Sequence, residues 1–216
     1  MSETYLGHEF QYSSARHQAE SAVSGMWLFL ATEVLFFGAL FLTWIYARHW
    51  DQIGFDAGAR QTNLAIGTAN TVILLASSFV YSASVVFIEN GNSRRLIQCC
   101  AAAGALGVAF LFLKFGIEWH DDFARQLFPG PDFSIEGPLS GGARIFFVFY
   151  FLGTGLHGLH MVVGLILLGW IIRRASHGDF SPAYYTPVIV VGLYWSFVDI
   201  VWIVLYPLIY LVGRGP

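Results

Sequence analysis

Apolar residues run along this chain in five long blocks, 24–46, 64–88, 96–119, 145–172 and 186–212, separated by segments rich in Arg, Asp, Gly and Pro. Each block exceeds the roughly 20 residues that span ~30 Å of hydrocarbon, so each predicts a transmembrane helix. The expected fold class is an all-α membrane protein, a bundle of five transmembrane helices. An odd number of spans puts the two termini on opposite sides. Residues 1–23 predict a polar N-terminal tail, amphipathic or irregular, ahead of a five-helix unit over 24–216. The longest connections, 47–63 and 120–142, read as surface loops, the second with Asp121, Asp122, Asp132 and Glu136 among several Gly and Pro residues.

Composition agrees with this pattern. With 56% hydrophobic and 12% charged residues, the chain does not suit an ordinary water-soluble domain. A net charge of −3 and the lack of a basic patch argue against nucleic acid as a partner. The first 23 residues include Glu3, Glu9 and Glu20, unlike a cleavable signal peptide. Arginine counting gives a tie for orientation: Arg16, Arg94, Arg95, Arg173 and Arg174 lie on one side, and Arg48, Arg60, Arg125, Arg144 and Arg214 on the other. The paired arginines of the two shortest loops favour a cytoplasmic N-terminus and a periplasmic C-terminus. No inverted repeat of the transporter kind is visible, and Cys99 and Cys100 read as small core residues.

The candidate chemistry consists of ionisable groups inside the apolar blocks, where they are expensive unless partnered or functional. Glu33 stands about nine residues into its helix, roughly 14 Å deep, and should be protonated or paired. A carboxyl hydrogen-bonded to a neighbouring helix is the leading reading, ahead of a proton relay or a place in a lipid cavity. His157 and His160, at i and i+3, leave one helix on the same face. Without further histidines at membrane depth they predict interhelical hydrogen bonds, with Glu33 or Asp199 as partners, and no metal site. Gly153, Gly155, Gly158 and Gly164 keep that helix slim enough for such contacts. Lys114 and Glu118, at i and i+4, read first as a stabilising surface pair that pairs or snorkels at the helix end. Asp199, between Trp195 and Trp202, predicts a buried hydrogen bond to a facing helix. No nucleophile, nucleotide loop or cofactor motif appears, so catalytic residues are not expected in this chain.

The runs Thr32-Glu-Val-Leu-Phe-Phe37, Asn70-Thr-Val-Ile-Leu-Leu-Ala-Ser77, Glu118-Trp-His-Asp121, Gly153-Thr-Gly-Leu-His-Gly-Leu-His160 and Tyr194-Trp-Ser-Phe-Val-Asp-Ile-Val-Trp202 together resemble subunit III of the haem-copper respiratory oxidases, over about 24–212. The likeness is to the family's shorter, five-helix bacterial form. It implies a subunit of the bacterial plasma membrane that binds no haem or copper itself. Those cofactors belong to partner subunits, where oxygen is reduced and protons are pumped. It also implies direct packing on subunit I, neighbourhood to subunit II and a small subunit IV, bound phospholipid, and support of proton uptake and active-site lifetime. By position, Glu33 matches the family's carbodiimide-reactive carboxyl, and Arg174, beside Arg173, matches a lipid-headgroup contact. Glu118, His157, His160 and Asp199 match polar positions tied together in the bundle. Ser196 departs from the usual histidine. A quinol oxidase subunit III, a relative attached to a nitric oxide reductase, or a free-standing proton-coupled transporter are the alternatives.

Overall fold

The computed structural model describes residues 12–214. It is all-helical, and five of its helices are long and apolar enough to cross a membrane. Helix α1 spans Ala15–Trp50, α2 Gln52–Ala59, α3 Leu64–Glu89, α4 Ser93–Leu111, α5 Trp119–Ala124, α6 Ser140–Ser176 and α7 Thr186–Tyr206. Two π-helical segments extend this list: Phe112–Glu118 joins α4 to α5 in one continuous span, and Pro207–Leu211 continues α7.

Helix boundaries follow from local chemistry. The side chains of Ser14, Asp51, Asn63 and Asn92 each accept a backbone N–H three residues on, capping α1, α2, α3 and α4. The Ser14 cap starts α1 well before the expected boundary at 24, and an Arg16–Glu20 pair one turn apart supports that first turn. Residues 15–23 of the expected tail are therefore helix, whereas 1–11 lie outside the described residues. The expected loop 47–63 contains α2, which stays close to α6 because Gly142 has no side chain: a Cβ there would meet Phe55 N at 2.6 Å. The expected loop 120–142 loses its first residues to α5.

Packing follows a 3.5-residue period. On α3 the buried positions are Gly67, Asn70, Leu74, Ser77, Tyr81, Ser84 and Ile88, and on α4 they are Leu96, Cys100, Ala103, Gly107 and Phe110. Steps of three and four residues are those of a left-handed helix pair, and the small residues allow close approach. The pair is locked where the Ser77 hydroxyl donates to Ala103 O at 3.0 Å and accepts from Trp195 Nε1 at 3.0 Å. Helix α6 packs against α1, α2, α4 and α7. Helix α1 is peripheral: it buries only Leu30, Phe37 and Trp44, one residue every two turns, and leaves Trp27, Leu28, Leu35 and Leu42 exposed. In water such a face would be unstable; against lipid or another apolar subunit it is the expected one.

Candidate functional site

The bundle holds two polar constellations, built differently. The first lies where the third span passes through its π-helical turn. The α4 seam ends at Phe110 and continues as Lys114, Glu118 and Asp122, all buried. Steps of four residues on an α-helix drift about 40° each, so three such residues would fan off the core face. The wider π turn offsets that drift and keeps all three inward. Lys114 Nζ donates to Glu118 Oε2 at 3.0 Å, to Tyr150 Oη of α6 at 2.9 Å and to Tyr210 Oη at 2.7 Å, which uses all three ammonium protons. Tyr210, brought in by the π segment after α7, donates onward to both Glu118 oxygens at 2.7 and 2.8 Å. Tyr150 donates to Asp122 Oδ2 at 2.6 Å. The ammonium also stands over the Tyr150 ring, 4.2 Å from its centroid.

This arrangement corrects the expected surface pair. Lys114 and Glu118 have side chains only 1% and 2% exposed, so neither snorkels. Desolvation of that depth is tolerable only because every donor of the ammonium is matched. The sequence reading also missed Lys114, Asp122, Tyr150 and Tyr210 as members of one site. The spacing i, i+4, i+8 of Lys114, Glu118 and Asp122 was the available signal, whereas nothing marks the two tyrosines among the ten in the chain.

The second constellation is a pair. His160 Nε2 lies 3.1 Å from Glu33 Oε2 of α1, so the expected tie between the first and fourth spans is present. His160 Nδ1 lies 2.9 Å from Leu156 O. Phe37 packs edge-on against the imidazole, and Tyr194 Oη donates to His160 O at 3.1 Å. Unlike Lys114 and Glu118, these side chains are 16% and 19% exposed, on the flank where α1 meets α6.

Other expected residues behave differently. His157 is buried, but neither ring nitrogen has a hydrogen-bond partner among the described residues. It packs between Phe110 and Trp202, ring centroids 5.4 and 5.1 Å away. The expected hydrogen bond to Glu33 or Asp199 is therefore absent: one turn of helix is enough to aim His160 at α1 and leave His157 among aromatics. Asp199 is likewise buried, and neither carboxyl oxygen has a hydrogen-bond partner among the described residues, although the Ser78 hydroxyl of α3 faces it. Trp202, one turn on, does tie α7 to α3, donating to Thr71 Oγ1 at 3.0 Å. The narrow α6 surface is used by rings, since a Cβ on Gly164 would meet Trp195 at 2.8 Å and one on Gly158 would run into Phe115. Ser196 is on the exposed face of α7.

Arg173 and Arg174 end α6 beside an open cavity of about 450 Å³ lined also by Trp170, His177 and Asp179. Arg174 is committed within the chain: its Nε donates to Asp179 Oδ2 at 2.8 Å and its guanidinium is framed by Trp170 and Phe180. The Arg173 guanidinium has no partner among the described residues. Among those residues no group of three or more His, Cys, Asp or Glu side chains is placed to hold a metal ion. Cys99 and Cys100 are free thiols.

A sequence model of the family described as cytochrome c oxidase subunit III matches residues 7–214. Curated relatives include a cytochrome c oxidase subunit 3 of Thermostichus vulcanus, 30% identical over 93% of this chain and 92% of the relative. A probable cytochrome c oxidase subunit 3 of Nocardia farcinica is 32% identical over 87% of this chain and 86% of its own length. A haem-copper oxidase subunit I+III of Aeropyrum pernix is 26% identical over 88% of this chain, which covers 22% of that longer protein.

Proposed function

Because this chain belongs to the cytochrome c oxidase subunit III family, we propose that it is the non-catalytic third subunit of a proton-pumping haem-copper oxidase in a bacterial plasma membrane. The observation that carries this reading is the match over residues 7–214 on a chain with five membrane spans. The polar geometry is compatible with it, because the ionisable groups inside the spans are used to tie helices together: Lys114 and Glu118 to Tyr150 and Tyr210, and Glu33 to His160. Haem and copper then reside in partner subunits.

Direct packing on subunit I is supported by the Aeropyrum pernix relative, whose name joins subunits I and III in one chain. The apolar outer surface of α1, with Trp27, Leu28, Leu35 and Leu42, suits either such a neighbour or lipid. A cytoplasmic N-terminus is supported by Arg94 and Arg95 at the start of α4 and Arg173 and Arg174 at the end of α6, which fall at the same end of the bundle. At that end the uncommitted guanidinium of Arg173 offers paired hydrogen bonds to a phospholipid phosphate, while Arg174 shapes the cavity from within. Glu33 and His160, part-exposed on the flank, are the groups best placed to exchange protons with, or lie against, whatever fills that flank, in support of proton uptake and active-site lifetime.

Purification through a tag on this chain in mild detergent tests the reading. The expected result is co-purification of a larger subunit carrying the haem absorbance and the iron and copper, with this chain metal-free once separated. Stoichiometric iron or copper on the separated chain, or a preparation with no haem-bearing partner, overturns it.

A further inference from the structure

We propose that the buried Lys114 cluster is a single-proton binding site, with the proton held on Asp122. The cluster contains two carboxyl groups, Glu118 and Asp122, and one ammonium, Lys114, all buried. Fully ionised, it has a net charge of −1 in a place from which water is largely excluded, and an uncompensated charge there is costly. Taking up one proton makes the cluster neutral.

The hydrogen-bond directions choose the carboxyl. Lys114 donates to the hydroxyl oxygens of both Tyr150 and Tyr210, so each tyrosine must direct its own hydrogen elsewhere. Tyr210 points its hydrogen at Glu118, which also receives the ammonium itself. Glu118 thus has a direct cationic partner, which Asp122 lacks. Asp122 receives only the neutral Tyr150 hydroxyl, on Oδ2. A proton added to Oδ1 converts Asp122 to the carboxylic acid and leaves the Tyr150 bond to Oδ2, now the carbonyl oxygen, in place. No other bond in the cluster has to change.

The charged and titratable groups around Asp122 are Glu118, Lys114 and Arg125 on its own span and Tyr150 from α6, with Tyr210 reaching the cluster from the π segment after α7. Arg125 makes no ion pair with it and acts on it only at a distance, because that guanidinium is held by Gln61 through its backbone and side-chain oxygens, at 3.0 and 2.7 Å. Asp121, next to Asp122, is exposed and lies 3.9 Å from Arg125. Helix α5 ends at Ala124, two residues beyond Asp122. Two π-helical segments, one bearing Lys114 and Glu118 and the other bearing Tyr210, converge on this site, and such segments concentrate at functional positions. The proposal stands independently of the oxidase assignment.

Infrared spectroscopy of the purified, detergent-solubilised assembly near neutral pH tests it, since a carboxylic acid has a carbonyl band that a carboxylate lacks. Expected is a band in the wild-type spectrum that is lost in Asp122→Asn. In Tyr150→Phe, which changes no charge, the same band should persist and move to higher frequency, because its carbonyl has lost a hydrogen bond. Wild-type and Asp122→Asn spectra that superimpose, or a band unmoved in Tyr150→Phe, overturn the proposal. So does a band that moves in Tyr210→Phe and not in Tyr150→Phe, which puts the proton on Glu118, the carboxyl that Tyr210 bonds.

Discussion

The Lys114 cluster and the Glu33–His160 pair each join an acid and a base from the apolar part of the bundle, yet they solve the problem of a polar group in hydrocarbon in opposite ways. The cluster is dry and saturated: three ammonium donors, two phenol hydroxyls and two carboxyls form one connected set from the third span, α6 and the C-terminal π segment. The pair is open: a single 3.1 Å contact between side chains that remain part-exposed on a flank. Burial makes the first strongly interdependent and leaves the second adjustable. Removing a member should therefore damage the fold at one site and alter only reactivity or neighbours at the other.

The hardest test of that contrast is Glu118→Ala, which leaves the Lys114 ammonium without its carboxylate inside the bundle. A loss of about 3–5 kcal/mol is expected, the usual penalty for stranding a buried charge. Titration with a denaturing detergent from mild micelles measures it. The double variant Lys114→Met with Glu118→Gln removes both charges together and should lose less than Glu118→Ala alone. A double variant as unstable as the single one would mean that shape, not charge pairing, holds the cluster.

Tyr210→Phe is the next largest. It keeps the ring but deletes the hydroxyl that accepts from Lys114 and donates to Glu118. Hydrogen bonds to charged groups contribute about 1.5–3 kcal/mol, and a loss in that range is expected in the same titration. Tyr206→Phe is the control for the aromatic surroundings: the Tyr206 hydroxyl bonds Thr68 on the outer part of α3 at 2.8 Å, so its removal should cost less. Equal losses at the two positions would remove the distinction between the saturated cluster and its periphery.

A steric probe comes third. Gly158 sits between His157 and the pair's His160 on the far side, and its missing Cβ makes room for Phe115 of the π turn. Gly158→Ala forces that ring to move, at about 1–3 kcal/mol, the usual penalty of overpacking. It should disturb the π turn and with it the Lys114 contacts, while the Glu33–His160 contact persists. An unchanged stability would show that the π turn has slack that the packing does not suggest.

These two sites were unequally legible in the sequence. The five spans follow from apolar length alone, and Glu33 and His160 announce themselves as isolated ionisable residues within such blocks, their pairing requiring only that α1 and α6 touch. The cluster was hidden because Lys114 and Glu118 sit close to the expected end of their span, where a surface pair is the ordinary outcome. What places them inside is the π turn, a backbone feature with no residue signature, together with two tyrosines from distant parts of the chain. His157 shows the converse error. Its spacing from His160 was right for a shared helix face, but the choice between a carboxylate and a ring as neighbour is made by which helices pack there, and Phe110 and Trp202 arrive first. The early start of α1 was readable in principle from Ser14 and the Arg16–Glu20 spacing, signals that the search for apolar length passes over.

The smallest effect on stability should come from Glu33→Gln. The amide keeps the size of the side chain and can still hydrogen-bond His160, and polar contacts between helices in a membrane average only about 0.6 kcal/mol. A change of that order or less is expected, far below the effect of Glu118→Ala. Reactivity should invert the ranking. A hydrophobic carbodiimide dissolved in the apolar phase can approach a carboxyl that is 19% exposed on the flank, whereas Glu118 is enclosed by Lys114 and Tyr210. Mass spectrometry of the labelled assembly should find the adduct on Glu33 and none on Glu118, and His160→Ala, which uncovers the carboxyl further, should increase the yield at Glu33. Adducts on Glu118 in the folded wild-type protein, or a Glu33→Gln variant as unstable as Glu118→Ala, would show that the two sites are not the open and closed counterparts that their geometry describes.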